Sequence, residues 1–144
     1  MTTLAGTMPD LVLDAWAIMA WLKGQQPAGE RVRLFLESAD RQERQLIMNI
    51  LNLGEVFYLS VKAKNAAYGE RVIQALRPRI RTVSASDQLV MHAAKLKAGY
   101  AISYADAFAA ATAISRKTPL ATGDPELQAM ARKDKSLRLE WIGR

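Results

Sequence analysis

Four acidic residues have the type and the position that metal-assisted chemistry requires. Asp14 directly follows the apolar run 11–13, and Asp124 comes two residues after another apolar run. Glu55 lies in the second turn of one predicted helix, and Asp106 lies in the first turn of another. Carboxylates that gather at one point repel each other unless a hard cation neutralises them, and an all-oxygen ligand set selects Mg²⁺ or Mn²⁺. Such a site activates water for attack on a phosphodiester.

Other side chains that commonly carry catalysis are scarce in this chain. It contains no cysteine, which excludes disulfides and thiolate metal sites and is expected of a protein in a reducing cytoplasm. The single histidine, His92, stands inside a predicted helix, with no second histidine at ligand spacing. A nucleophilic triad or a histidine-bound metal therefore has little support, and the carboxylates remain the candidates.

Short apolar runs alternate with helical patterns, and this alternation predicts the frame that must hold the acids. It is typical of one α/β domain with a mostly parallel sheet and helices on both faces. Residues 1–9 are predicted to form a flexible terminus and residues 10–144 a single domain. We predict strands at 11–13, 45–49, 80–83, 119–122 and 137–142, and helices at 15–22, 30–39, 50–64, 68–76, 86–99, 103–116 and 126–133.

All four acids are expected at one edge of this sheet. Asp14 and Asp124 follow the carboxyl ends of two strands, and the helix after the second strand carries Glu55. Asp106 begins a helix that leads into the fourth strand, so the amino end of that helix lies beside the carboxyl end of the strand. Open α/β sheets bind their ligands at this edge.

Each acid also has a purely structural interpretation at the start of a helix. Asp124 precedes a proline, and Ser103 with Asp106 has the spacing of a capping box. Asn52 with Glu55 would form another cap if their helix started late. Capping explains the four acids less well together, because Glu55 lies on a strongly apolar helix where an unpaired carboxylate is unfavourable to bury. A divalent cation would remove that penalty.

The charge of the chain favours a polyanionic partner. Its formal net charge is +6 and its pI about 9.8, which suits nucleic acid above all. The basic residues are scattered without interleaved aromatic residues. Trp21 and Trp141 are expected in the core or at an interface rather than as residues that stack on bases. No apolar stretch reaches the ~18 residues that span a bilayer, and residues 1–10 lack the pattern of a signal peptide. We therefore expect a cytoplasmic protein without a membrane partner.

Four segments, in this order and at these spacings, carry a family resemblance. They are Val12-Leu13-Asp14, residues 52–56 (Asn-Leu-Gly-Glu-Val), residues 103–113 and residues 120–124 (Leu-Ala-Thr-Gly-Asp). From residue 11 to about residue 142 the chain resembles the PIN domain, and most closely the VapC-type toxins of bacterial toxin–antitoxin pairs. The resemblance implies a three-layer α/β/α sandwich with strand order 3-2-1-4-5. It also implies Mg²⁺- or Mn²⁺-dependent endoribonuclease activity on RNA, a homodimer, and a cognate antitoxin that blocks the site.

The same resemblance implies roles for individual residues. Asp14, Glu55, Asp106 and Asp124 would form the catalytic acidic quartet. Asp14 and Asp106 would be the firmest metal ligands, and Asp124 would assist directly or through water. Glu55 would ligate the metal or orient the attacking water. Thr122 matches a hydroxyl residue of the family and would steady the site.

One departure from the family pattern follows the first aspartate. Relatives often carry a serine or threonine there, whereas this chain has Ala15 and Trp16. The loss of a hydroxyl bears on metal affinity and leaves the fold unaffected.

Other α/β families of similar architecture require residues that this chain lacks. A receiver domain would need an aspartate at the end of the third strand, where Val83-Ser84 stands. A haloacid-dehalogenase-type phosphatase would need a second aspartate at the position of Trp16. Two alternatives stay open within the PIN fold: a nuclease that processes RNA without an antitoxin, and a catalytically silent module that binds nucleic acid or protein.

Overall fold

Five strands and seven helices alternate through residues 8–144, the part of the chain that this computed structural model describes. Residues 1–7 of the predicted flexible terminus lie outside this range. The strands are β1 (Leu11–Leu13), β2 (Leu46–Asn49), β3 (Ile80–Val83), β4 (Leu120–Thr122) and β5 (Leu139–Trp141). The helices are α1 (Ala15–Lys23), α2 (Ala28–Asp40), α3 (Ile50–Ala63), α4 (Ala66–Leu76), α5 (Asp87–Gly99), α6 (Tyr104–Ser115) and α7 (Pro125–Lys133).

The strands form one sheet in the order β3-β2-β1-β4-β5, and all four pairings are parallel. This confirms the predicted order. The central strand is β1, in which Val12 lies opposite Ile47 on one side and Leu120 on the other. A parallel sheet covered on both faces needs apolar residues at successive positions. That requirement explains why β1 is an uninterrupted run of buried aliphatic residues.

Side chains alternate between the two faces of the sheet and enter two separate apolar clusters. Leu11 and Leu13 pack in a cluster with buried residues of α1, α2, α3 and α4. Val12 points the other way, into a cluster with α5, α6 and α7. In α6, every residue from Ala107 to Ala113 is buried, which explains its run of alanines. The predicted three-layer α/β/α sandwich is therefore confirmed.

Helix boundaries follow the capping residues, and they differ from the predictions by one or two residues in most cases. The third helix, α3, starts at Ile50 as predicted, because the Asn49 side chain accepts a hydrogen bond from the amide of Leu51 at 2.9 Å. Asn52 and Glu55 therefore do not form the cap that a later start would have required. Gly24 ends α1 in the left-handed region, at φ 67°, where glycine is favoured. Within residues 8–144, no helix has the length and apolarity to cross a membrane.

The turn between β4 and α7 is built against the first helix. Gly123 lies in this turn, and a Cβ at that position would overlap the six-membered ring of Trp16 in α1. The indole therefore occupies the space that any other side chain at position 123 would take. This contact fixes the β4–α7 turn relative to the start of α1, so it fixes Asp124 relative to Asp14.

Replacing Gly123 by alanine should destabilise the fold by about 1–3 kcal/mol, because the added methyl group must displace the Trp16 ring. Urea unfolding measures this change. Gly54→Ala in α3 is the matched control, since a Cβ there meets nothing within 4 Å. A Trp16→Leu background should reduce the cost of Gly123→Ala in a double-mutant cycle. Equal stability of Gly123→Ala and the wild type would contradict the contact.

Candidate functional site

One carboxylate oxygen of Asp14 caps a helix, and the other is buried without a hydrogen bond to any described residue. It is 1% exposed and stands directly after β1 as the N-terminal cap of α1. Its Oδ1 accepts a hydrogen bond from the amide of Ala17 at 2.8 Å. Its Oδ2 is buried as well, and no donor among the described residues meets the geometry of a hydrogen bond to it, although the nearby Thr122 hydroxyl lowers the pKa of this carboxyl. Capping therefore uses one carboxylate oxygen and leaves the other available.

The surroundings of Asp14 oppose its negative charge. Burial is the largest effect and raises the pKa of Asp14 to about 7. The Thr122 hydroxyl and the Ala17 amide lower this pKa, whereas the charges of Asp124 and Glu55 raise it further. A carboxylate held in this way needs a compensating positive charge to stay ionised at low cost.

Asp106 approaches the same place from the first turn of α6. The amide of Asp106 donates to Oγ of Ser103 at 3.1 Å, which is the predicted cap. Burial, then the adjacent charge of Asp124, raise the pKa of Asp106 to about 7. Asn52 donates to the carbonyl of Ala105 at 2.9 Å and so ties the start of α6 to the helix that carries Glu55.

Asp124 and Thr122 complete the site from the end of β4. The buried Thr122 hydroxyl accepts a hydrogen bond from the amide of Asp124 at 3.0 Å. Oδ1 of Asp124 accepts from the amide of Glu126 at 2.9 Å, so Asp124 caps α7 as predicted. Because Thr122 also lowers the pKa of Asp14, it links the ends of the two adjacent strands.

The structure brings the predicted residues together. Glu55 is half-buried, and its pKa is raised by burial and by the charge of Asp124. One cleft of about 340 Å³ is lined by Glu55, Asp106 and Asp124. The charge of the buried Asp14 also raises the pKa of Asp106. The remaining lining residues are Ala15, Trp16, Met19, Ala20, Lys23, Gln25, Leu59, Ser103 and Glu126.

Two charged residues of this cleft escaped the sequence analysis. Carboxylate oxygens of Asp106, Asp124 and Glu126 lie within 4.8 Å of one another, which makes Glu126 a further potential ligand. This group of three does not include Asp14. Lys23, in the last turn of α1, adds a cation to the cleft wall. The sequence could have indicated Glu126 through its position two residues after Asp124, in the first turn of the helix that starts at the same edge of the sheet.

The donor set fits a hard divalent cation. All the candidate ligand atoms are carboxylate or hydroxyl oxygens, and hard cations prefer oxygen. The buried Oδ2 of Asp14 lacks a partner within the described chain, which is the condition that a bound cation would satisfy. Burial, followed by the repulsion of neighbouring acids, raises the pKa values of Asp14, Glu55 and Asp106, and a bound cation would offset both effects.

Comparison with known proteins gives one family and a consistent set of structures. The family model described as PIN domain matches residues 11–133. DNA-bound VapBC from Salmonella typhimurium has a similar fold, with a TM-score of 0.69 at 19% identity, covering 94% of this chain and 99% of that chain. VapBC2 from Rickettsia felis, bound to a DNA fragment from its promoter, gives 0.69 at 17% identity, with 92% and 98% covered.

A third similar structure is a toxin whose target is stated. VapC20 from Mycobacterium tuberculosis, a sarcin–ricin loop cleaving toxin, gives a TM-score of 0.67 at 17% identity and covers 83% of this chain and 94% of that chain. The sequence matches no curated protein. At these identities the structures establish that the fold is shared.

Asp14→Asn should stabilise the metal-free protein at neutral pH. The folded pKa of Asp14, about 7, lies above the usual value of about 4, so the penalty for ionising it is absent below about pH 4 and complete above about pH 7. Asparagine keeps the cap and removes the charge. In EDTA the gain should grow from pH 4 to pH 8 and reach on the order of 2 kcal/mol.

Thermal unfolding across this pH range measures the effect, with Mg²⁺ added in a second series. Magnesium should raise the melting temperature of the wild type more than that of Asp14→Asn. A variant less stable than the wild type at pH 8 in EDTA would mean that burial of Asp14 is not unfavourable.

Proposed function

Since this chain belongs to the PIN domain family, we propose that it is a Mg²⁺- or Mn²⁺-dependent endoribonuclease that hydrolyses phosphodiester bonds of RNA. The observation that carries this proposal is the convergence of Asp14, Glu55, Asp106 and Asp124 at one edge of the sheet, with a buried carboxylate oxygen left unpaired. A cation there serves a substrate whose reacting group is an anionic phosphate.

The cation would be held by Asp14, Asp106 and Asp124, with Glu126 within reach of the latter two. When bound, it supplies Lewis-acid stabilisation of charge on the phosphoryl oxygens and a lowered pKa for water. Oδ2 of Asp14 is the ligand with no competing hydrogen bond within the described chain. Thr122 holds the backbone of Asp124 and thereby keeps the ligands of the two strands in register.

The proton transfer falls to Glu55. This carboxylate is half-buried in the cleft, and its raised pKa makes it a better base than an exposed glutamate. It accepts a proton from the water that attacks phosphorus, as the bond from phosphorus to the leaving oxygen breaks. Lys23, on the wall of the same cleft, is placed to bind a phosphate oxygen of the RNA.

A second feature suits an RNA backbone. Between β3 and the C-terminal part of α6, a polar cavity of about 440 Å³ is lined by Arg81 and Arg116 together with hydroxyl residues, among them Ser84 and Ser86. No carboxylate lines this cavity, and within residues 8–144 neither arginine forms an ion pair. Unpaired guanidinium groups beside hydroxyls are suited to bind phosphates.

The biological setting that we propose is a toxin that inhibits translation and growth, held in check by a cognate antitoxin. The structural neighbours support this proposal, because several are VapBC pairs. Exposed apolar side chains on α3 support a protein partner or a homodimer: Ile50, Leu51, Phe57 and Tyr58. We further propose that the protein acts in the cytoplasm.

Two alternatives differ in role and share the fold. An RNA-processing nuclease without an antitoxin would keep the whole acidic site. A catalytically silent binding module would have no need for ionised acids in a buried cleft, and their close approach argues against it. The enzyme is therefore favoured over the silent module.

Cleavage of RNA by the purified protein should require Mg²⁺ or Mn²⁺ and should stop in EDTA. Asp106→Asn and Asp14→Asn should each lower the rate by ~100-fold or more, since even residues that only support a metal ligand contribute 10–100-fold. Gel analysis of structured and unstructured RNA measures the rates. Asp87→Asn is the control, because Asp87 opens α5 and does not line the cleft. Full activity in EDTA, or in Asp106→Asn, would refute the proposal.

Removal of the two unpaired arginines should weaken RNA binding without changing the fold. Arg81→Gln with Arg116→Gln should reduce the slope of log K against log salt by about 1.4, because each phosphate contact to a single strand contributes about 0.7. Arg33→Gln is the control, since Arg33 already pairs with Glu30 and Glu37. Fluorescence anisotropy at several salt concentrations in EDTA measures the slope. A change of about half that size in the Arg33 variant, which loses one charge where the double variant loses two, would show a general charge effect and contradict a binding site.

A further inference from the structure

A second cavity adjoins the acidic cleft and differs from it in chemistry. Its volume is about 420 Å³, and its walls include two indoles, those of Trp16 and Trp141. Trp16 and Gln25 line both this cavity and the acidic cleft, so the two spaces share a wall. The remaining lining residues are Gln26, Pro27, Ala28, Gly123, Pro125, Gly143 and Arg144.

A glycine lies against each of the two indole rings. A Cβ at Gly123 would overlap the ring of Trp16, and a Cβ at Gly143 would lie 2.8 Å from Cζ2 of Trp141. The same added Cβ would lie 3.2 Å from the Cα of Gly123, so the two glycines are neighbours. The Trp141 ring is held by its Nε1, which donates to the carbonyl of Arg144 at 3.2 Å. The two indoles and the adjoining glycine backbones thus form neighbouring parts of the cavity wall.

The lining selects a flat, neutral, hydrogen-bonding group that carries an anion. Indole rings offer stacking surfaces, and the carboxamides of Gln25 and Gln26 can both donate and accept hydrogen bonds. Arg144 is the lining residue with a charged side chain, and no aspartate or glutamate side chain lines the cavity. A cationic ligand is disfavoured by this set, whereas a nucleobase attached to a sugar phosphate matches it.

We infer that the Trp16–Trp141 cavity binds a nucleobase of the RNA next to the phosphate that is cleaved. The inference rests on the proposed nuclease function and adds a substrate class to it. A base can enter such a cavity only when it is unpaired and unstacked, so the substrate is single-stranded at the cleavage site. Trp16 and Trp141 are specificity-determining residues in this account, and the acids perform the chemistry.

Binding of ten-nucleotide RNAs to the full-length protein tests the inference, measured in EDTA by fluorescence anisotropy with a 5′ label. The probes are A₁₀, U₁₀, C₁₀, a ten-base-pair RNA duplex and an abasic ribose-phosphate chain of equal length. The wild type should bind at least one single strand about 10-fold more tightly than the abasic chain, the size expected when one stacked base is lost. The duplex should show no such gain.

Variants at Trp141 should remove the preference for bases and leave the affinity for the abasic chain unchanged. Trp141→Leu should abolish the 10-fold difference, and Trp141→Phe should restore part of it, because phenylalanine still stacks. Trp21→Leu is the matched control, since Trp21 lies in α1 like Trp16 but does not line the cavity. Retention of the full base preference in Trp141→Leu would overturn the inference.

Tryptophan emission gives a second readout that does not depend on the Leu variants folding well. In Trp16→Phe/Trp21→Phe, the remaining Trp141 should be quenched by U₁₀ or A₁₀ and unaffected by the abasic chain. If the Trp141 emission changed with protein concentration and not with added RNA, the cavity would be a contact surface between two copies of the chain. That result would overturn the inference. Because these measurements use EDTA, they are independent of cleavage. Absence of any base preference in the wild type, with cleavage intact, would refute the cavity alone, and activity in Asp106→Asn would refute the nuclease.

Discussion

The burial of one carboxylate at the end of the central strand is the constraint on which the site depends. Asp14 must follow β1 directly, because its Oδ1 starts α1 and its Oδ2 then lies inside the protein. A strand in the middle of a parallel sheet leaves no solvent at this point. The protein therefore places a carboxylate where its ionisation is unfavourable, and neighbouring groups determine whether that charge is tolerated.

Those neighbours make the charge less favourable in the metal-free protein. Asp106 and Asp124 reach the same edge from α6 and the end of β4, and each adds a negative charge. Charged residues of like sign rarely gather in a half-buried cleft without a partner ion. A hard cation would turn this repulsion into binding energy. Outside the cleft, unpaired arginines and the net charge of +6 would then attract the polyanion that the cation acts on.

The sequence predicted the parts that depend on local pattern, and it missed those that depend on tertiary contact. Buried strands, their order through the family resemblance, and the common edge for Asp14 and Asp124 follow from apolar runs and parallel topology. Glu126 was missed because an acid in the first turn of a helix is ordinary at the surface. Residues far apart in the chain form the Trp16–Gly123 contact and the cavity beside Trp141. No local sequence pattern predicts such contacts.

The most direct test of the central claim is anomalous diffraction from crystals soaked in Mn²⁺. If the buried acids exist to hold a cation, a peak should appear about 2.1 Å from Oδ2 of Asp14 and from an oxygen of Asp106, the distance expected for a small hard cation. Absence of a peak would contradict the account. So would a peak confined to Asp106, Asp124 and Glu126, because the unpaired oxygen of Asp14 would then have no function in metal binding.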